Sequence, residues 1–227
     1  MNDIVKLGTR RQKMEAKERA ILQAARNELS QHGFEGAKMS AIARAAEVAE
    51  GTVYLYYRNK RELLDAVVSE FWQTLTTGAR IVTGQHEKTL DKLRALAEFH
   101  LKELVKDFDF VGFTVRTRET GTLDSPSLTP IRAYVAVFDE IFRQGQDRGT
   151  LVTASPLWVV RDLFYGTLEY ASRTLHLHHE RRHEDVVDHL IELITRCYGA
   201  NSSQAEVGAL EAIEQRLQSI ERQLTNQ

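Results

Sequence analysis

One cysteine, Cys197, stands among 227 residues. A lone thiol closes no intrachain disulfide, so the fold has to rest on its core. Proline is nearly as scarce, with Pro126, Pro130 and Pro156 as the only three. No Asn-Gly, Asp-Gly or Gly-Gly pair offers the tight turn of a β-hairpin. Leu, Ala, Glu, Arg and Gln recur instead at helical spacings, which implies an all-α protein. No run reaches the roughly 20 apolar residues that span a bilayer. Residues 1–13 are polar and basic, without the apolar stretch of a secretory signal, so the cytoplasm is the expected compartment and no membrane partner is expected. Gly-x-Ser-x-Gly elbows, phosphate-cradling glycine loops and dinucleotide fingerprints are also missing, and no cofactor is expected. What is present, 42% apolar and 27% charged residues, is enough for a sizeable core and too charged for lipid.

The net charge of −2 hides an asymmetry. Residues 1–60 carry eleven Lys/Arg against seven Asp/Glu, and residues 61–227 carry nineteen against twenty-five. A basic head on an acidic body suits a head that meets a polyanion, since phosphates supply most of the affinity of a nucleic-acid binder.

Helical periodicity organises the rest. Ile21, Leu22, Ala25 and Leu29 mark a first helix over Lys17–Leu29 that Gly33 stops. Ahead of it, Arg10, Arg11 and Lys13 form a basic arm, a solvated tail that would reach the minor groove or adjacent phosphates if it bound. Met39, Ile42, Ala43 and Ala46 mark a short second helix, and Val53 and Tyr57 share a face of a third that begins near Ala49. Asn59 caps a fourth from Lys60 to about Arg80, with Leu63, Leu64, Val67, Phe71 and Leu75 inward. Further stripes run Leu90–Leu104, Ile131–Phe142 and Leu157–Leu175. Thr129-Pro130 and Ser155-Pro156 each place a capping residue before a proline at the first helical position. A last body helix covers about 184–198. Residues 199–203 read as a linker, followed by a seam of Leu210, Ile213, Leu217, Ile220 and Leu224 in a C-terminal helical extension over 200–227.

Two short helices joined by a tight turn, inside the basic part of the chain, match the helix-turn-helix plan for reading DNA. The second of them needs a small N-terminus that approaches the backbone closely, side chains for base edges, and hydroxyls or cations for phosphates. Gly51, Thr52, Tyr54, Tyr56 and Lys60 supply these, while Tyr57 packs under the turn.

Gly33-Phe34-Glu35-Gly36, Ile42-Ala43-Arg44-Ala45-Ala46, Gly51-Thr52-Val53-Tyr54-Leu55-Tyr56-Tyr57, Asn59-Lys60 and Leu63-Leu64 occur in that order. As a set over about 45 residues they resemble the tetracycline-repressor (TetR) type of bacterial transcriptional regulators. The resemblance implies a helix-turn-helix domain over 1–58 and a larger helical domain over 59–199 that binds an inducer. It also implies a homodimer formed by the last two body helices and double-stranded operator DNA as partner. Thr52 and Tyr54 would lie near bases, with Tyr56 and Lys60 at phosphates. Glu47 stands where the family's turn usually holds glycine, so a left-handed backbone there would cost about 1 kcal/mol. Ala37 replaces a frequent threonine, which moves the phosphate contact to Lys38, with Ser40 in the same DNA-facing set. Glu50 replaces a frequent cation and would accept from a cytosine amine.

A regulator of this plan needs a ligand that binds its DNA-compatible and incompatible shapes unequally. Phe110, Phe113, Tyr134, Phe138, Phe142, Phe164 and Tyr165 are the expected lining of its cavity, with Arg116 for an anionic head. Aromatic stripes at this spacing also serve as plain core. The stretch Ile141-Phe142-Arg143-Gln144-Gly145-Gln146 with Arg148-Gly149 resembles the subset that responds to fatty acyl thioesters. Phe164, Leu168, Leu190 and Ile194 are the expected dimer contacts. One rival reading remains: His179-Glu180-Arg181-Arg182-His183 matches His-Glu-x-x-His, which on a helix sets two imidazoles toward zinc in a hydrolase. Its flanking charge favours an exposed connection between helices. A helical scaffold whose C-terminal seam recruits a partner is the third.

Overall fold

The computed structural model describes residues 2–119, 128–152 and 154–200, with side chains outside 2–10, 115–119 and 128. Among these, nine α-helices follow one another: α1 (Asn2–Gly36), α2 (Met39–Ala45), α3 (Glu50–Tyr56), α4 (Lys60–Gly84), α5 (Thr89–Lys106), α6 (Phe108–Glu119), α7 (Leu128–Asp147), α8 (Leu157–Leu177) and α9 (His183–Tyr198). The expected all-α class holds. The one departure among the described residues is an isolated antiparallel bridge between Leu151 and Gly199. None of the described helices is long and apolar enough to cross a membrane.

The chain forms two compact units, Met1–Gly78 with Glu103–Val135, and Ala79–Lys102 with Ala136–Gln227. This division follows packing and differs from the expected boundary at residue 58. In the first unit, Ile21, Ala25 and Leu29 of α1 are fully buried together with Ile42, Val53, Leu63, Leu64 and Val68. Gly33, at φ 65°, breaks the helical path within α1 at the expected stop. Asn59 caps α4: its Oδ1 accepts from the Glu62 N–H at 2.8 Å, and the Glu62 carboxylate accepts from the Arg58 N–H at 2.9 Å. This is a variant of the reciprocal capping box, displaced by one residue. In the second unit, Leu93, Leu96, Leu101, Phe138, Phe142, Phe164, Leu168 and Val187 form the core.

Three expected helix starts move. α1 begins at Asn2 rather than Lys17, so the basic arm is a helical extension and not a tail. No proline interrupts that stretch, and the Arg11–Glu15 pair at 2.8 Å supports it at i,i+4 spacing. α7 already includes Leu128, and in α8 Pro156 is the N-cap rather than the first helical residue. The extension from 201 onward, with its seam, lies outside the described residues.

Candidate nucleic-acid interface and aromatic clusters

The turn between α2 and α3 is closed by the Val48 N–H donating to Ala43 at 3.0 Å. Glu47 has φ 55°, the single non-glycine residue with positive φ among those described. The family resemblance placed a left-handed residue at this position. Buried Val53 and Tyr57 anchor α3 from below, and the Tyr57 hydroxyl donates to Glu18 at 3.3 Å. Burial, followed by the charge of Glu18, pushes that phenol well above its ordinary range.

The opposite side of α3 is bare. Glu50 and Gly51 are exposed, Thr52 is half-exposed and Tyr54 is 45% exposed. Lys38 and Ser40, at the start of α2, are exposed as well. Gly51 is informative because the fold makes no demand on it. Its φ is not positive, and a methyl group placed there would meet nothing within 4 Å. A glycine in mid-helix costs roughly 1 kcal/mol relative to alanine, and at this second position of α3 neither packing nor backbone conformation among the described residues asks for one. Glu50 has a second duty, since a carboxylate in the first turn complements the helix dipole. Leu55, which sequence reasoning passed over, is 85% exposed. Its signal was an apolar residue lying off the buried Val53–Tyr57 stripe.

Two expected phosphate contacts are engaged internally. The Tyr56 hydroxyl donates to the Met14 carbonyl at 3.2 Å, which leaves it only acceptor capacity as arranged. Lys60 Nζ donates to the carbonyls of Glu35 at 3.1 Å and Ala37 at 3.2 Å, and sits 4.7 Å from the Phe34 ring centre. One of its three N–H groups is left for another partner. The ammonium thereby terminates the end of α1, as a cation suits a helix C-terminus. Arg11 pairs with Glu15, which raises its pKa, and the side chain of Arg10 lies outside those described.

The expected ligand-lining residues are divided between the two units. Phe110, Phe113 and Tyr134 belong to the first unit. There Phe71 meets Trp72 and Phe110 edge-on at 5.4 and 5.1 Å, Tyr134 lies 5.3 Å from Trp72, and Phe113 lies 5.9 Å from Phe110. Arg26 of α1 stands over the rings of Phe71 and Phe110 at 4.8 and 4.9 Å and pairs with Asp107 at 2.7 Å. Phe138, Phe142, Phe164 and Tyr165 belong to the second unit, with Phe138 in contact with each of the other three. His100 meets Tyr165 edge-on at 4.9 Å. Complete burial drops the His100 pKa to about 3, so its imidazole is neutral at ordinary pH. Asp139 beside them accepts from Arg161 at 3.1 Å. The side chain of Arg116 lies outside those described.

The stretch taken as a hint of acyl thioesters has structural work. A methyl group on Gly145 would sit 2.7 Å from Thr89 and 2.8 Å from Leu151, so the glycine admits a close approach. Gly149 takes φ 66°, and the Gly145 carbonyl accepts from the Thr150 N–H at 2.8 Å, which ends α7. Arg148 donates to the Glu87 carbonyl at 3.0 Å.

The expected dimer contacts Phe164, Leu168, Leu190 and Ile194 are at most 5% exposed within a single chain, and Leu190 also lines the groove between α8 and α9. Outward residues of the same helices include Leu163, Thr167, Tyr170 and Leu177 with half-buried Thr174 on α8, and His189 and Leu193 with half-buried Val186 on α9. Between the helices lies a groove of about 920 Å³, apolar along Tyr170 and Leu193 and charged at the end with Glu180, Arg181, Arg182 and Asp185. The zinc-hydrolase reading is overturned by geometry. Residues 178–182 are the non-helical connection between α8 and α9, so His179 and His183 share no helix face. His183 instead faces Glu184 at 3.4 Å.

With this geometry in place, comparison with known proteins gives a consistent picture. The family model for bacterial regulatory proteins, tetR family, matches residues 21–67. The fatty acid metabolism regulator protein of Bacillus subtilis is 23% identical over 151 residues, 66% of this chain and 78% of that protein. An HTH-type transcriptional repressor of Streptomyces coelicolor is 29% identical over 142 residues, 63% of this chain and 71% of that one. Among solved structures, the fatty acid degradation regulator FadR from Bacillus halodurans matches with a TM-score of 0.68 at 24% identity, covering 78% of this chain and 94% of the other. FadR from Bacillus subtilis in complex with stearoyl-CoA matches with a TM-score of 0.64 at 20% identity, covering 77% and 96%. At these identities the solved structures speak for the fold.

Proposed function

The chain belongs to the tetR family of bacterial regulatory proteins, and from that premise we propose that it is a homodimeric repressor released from a pseudo-palindromic operator by a small-molecule inducer. The observation that carries the DNA-reading part is Gly51, a helical glycine that neither backbone conformation nor internal packing requires, at the head of an exposed helix. On this reading Thr52, Tyr54 and Glu50 face base edges, Leu55 meets a thymine methyl, and Lys38, Ser40 and the remaining N–H of Lys60 face phosphates. A two-fold dimer then sets its recognition helices about one helical turn of DNA apart, or a multiple of it.

The proposed inducer class is a long-chain acyl thioester. Its support comes from the relatives, one a fatty acid metabolism regulator and one bound to stearoyl-CoA, and from two ring clusters suited to an apolar guest. The test selects an operator from a randomised DNA pool and follows its binding by anisotropy. Thr52→Ala is expected to change base preference. Lys60→Ala is expected to lower the slope of log affinity against log salt by about 1. Stearoyl-CoA is expected to release the operator. A protein that enriches no sequence is not a DNA-reading regulator, and release by other apolar molecules but not by stearoyl-CoA removes the acyl thioester alone.

A further inference from the structure

Trp72 is 7% exposed, and its indole Nε1 is shut off from solvent without a hydrogen-bond acceptor among the described residues. Its surroundings are rings: Phe71, Tyr134, and beyond them Phe110 and Phe113, all in the first unit. Rings accept an N–H only weakly, and a buried donor without an acceptor is uncommon in folded proteins. The fold does not need the nitrogen, because phenylalanine would fill a ring cluster without presenting a donor. An indole N–H held dry among apolar walls has the make-up of a small-molecule site, in which an apolar lining gives affinity and a few placed polar groups fix orientation.

We infer that Trp72 Nε1–H is the orienting donor of an aromatic site formed with Phe71, Phe110, Phe113 and Tyr134, and that it takes an apolar ligand through an acceptor oxygen of carbonyl type. The inference rests on the ligand-responsive reading above and narrows it. A thioester carbonyl meets the requirement, and so does a ketone; an alkane or a thioether does not. A site built to donate to an oxygen also disfavours an analogue lacking one, because the donor is then left unpaired.

Only two tryptophans occur in the sequence, and the other, Trp158, is 58% exposed. The full-length Trp158→Phe protein therefore gives a single indole N–H resonance. It is titrated with two pairs of probes, stearoyl-CoA against its S-octadecyl thioether analogue, and 2-undecanone against undecane. The expected result is a downfield shift of that resonance with a carbonyl-bearing probe and none with its partner. Trp72→Phe should then weaken the carbonyl probe about tenfold while leaving its partner unchanged. If this variant does not fold, the resonance in Trp158→Phe decides. Should neither carbonyl probe move the resonance, or should both members of a pair move it equally, the inference is overturned, and the N–H is resting on a ring. A shift with 2-undecanone but not with stearoyl-CoA upholds Trp72 as donor and removes the acyl thioester from the proposed function.

Discussion

Glu47 occupies a left-handed conformation without being glycine, and its side chain is exposed, so burial of that side chain does not offset the crowding of its Cβ against the backbone. Glu47→Gly should raise the stability of the protein by about 1 kcal/mol, less whatever glycine adds to the freedom of the unfolded chain. Operator preference should stay the same, since the residue precedes α3; an unchanged denaturant midpoint would show that the turn carries no strain. His100 gives a pH-dependent counterpart. Burial lowers its folded pKa to about 3, below the unfolded value near 6.5. Its contribution is therefore fully present above about pH 6.5 and is lost as the pH falls toward 3, because the unfolded chain takes up a proton that the folded one refuses. The slope is about 1.4 kcal/mol per pH unit in that window. His100→Gln should flatten this part of the stability curve, and a curve that stays equally steep would assign the acid loss to other groups.

At the scale of the helix, Arg26 is the side chain on which several elements depend. It leaves α1, stacks on Phe71 of α4 and Phe110 of α6, and pairs with Asp107 between α5 and α6. Both partners of that ion pair are about three-quarters buried, and the guanidinium plane serves the stacking and the pairing together. Arg26→Ala should destabilise the protein by about 2 kcal/mol and speed amide exchange in α1 and α6. Arg26→Lys should recover less than half of that, because a compact ammonium cannot stack; full recovery would reduce the role to charge alone. Nothing in the sequence distinguished Arg26, since its partners are 45 to 84 positions away. What the sequence did disclose were elements with local cause. The cap of α4, the apolar stripes of α2 to α5 and the stop at Gly33 are written in near-neighbour spacing. The first half of α1 was missed because it shows no apolar stripe, and α6 because its apolar residues follow α5 after one turn at Asp107. For Tyr56 and Lys60, sequence position suggested phosphate, while carbonyl acceptors on α1 and just beyond it engage them first.

For the whole molecule, the question is which face of α8 and α9 a second copy would cover, and periodicity alone could not decide it. Both helices are apolar on two sides: Phe164, Leu168 and Ile194 are buried in their own chain and Leu190 is buried along the groove, while Leu163, Tyr170, Leu177 and Leu193 stay 45% to 75% exposed. A continuous exposed apolar strip of this kind on a water-facing surface marks an interaction site. On α8 the outward residues 163, 167, 170, 174 and 177 alternate by four and three, the spacing of a helix that packs against another helix. Two variants separate the faces. Leu190→Glu places a carboxylate at a buried position along the groove and should unfold the chain or cost several kcal/mol. Leu193→Glu, on an exposed position, should leave the helical signal and folding cooperativity intact but put two carboxylates into the proposed dimer face. Sedimentation should then report a monomer, and operator affinity should fall to that of a single half-site, because two linked heads bind far more tightly than either alone. A Leu193→Glu protein that still sediments as a dimer and holds its operator would move the contact to another surface, and the exposed strip on α8 and α9 would need a different partner.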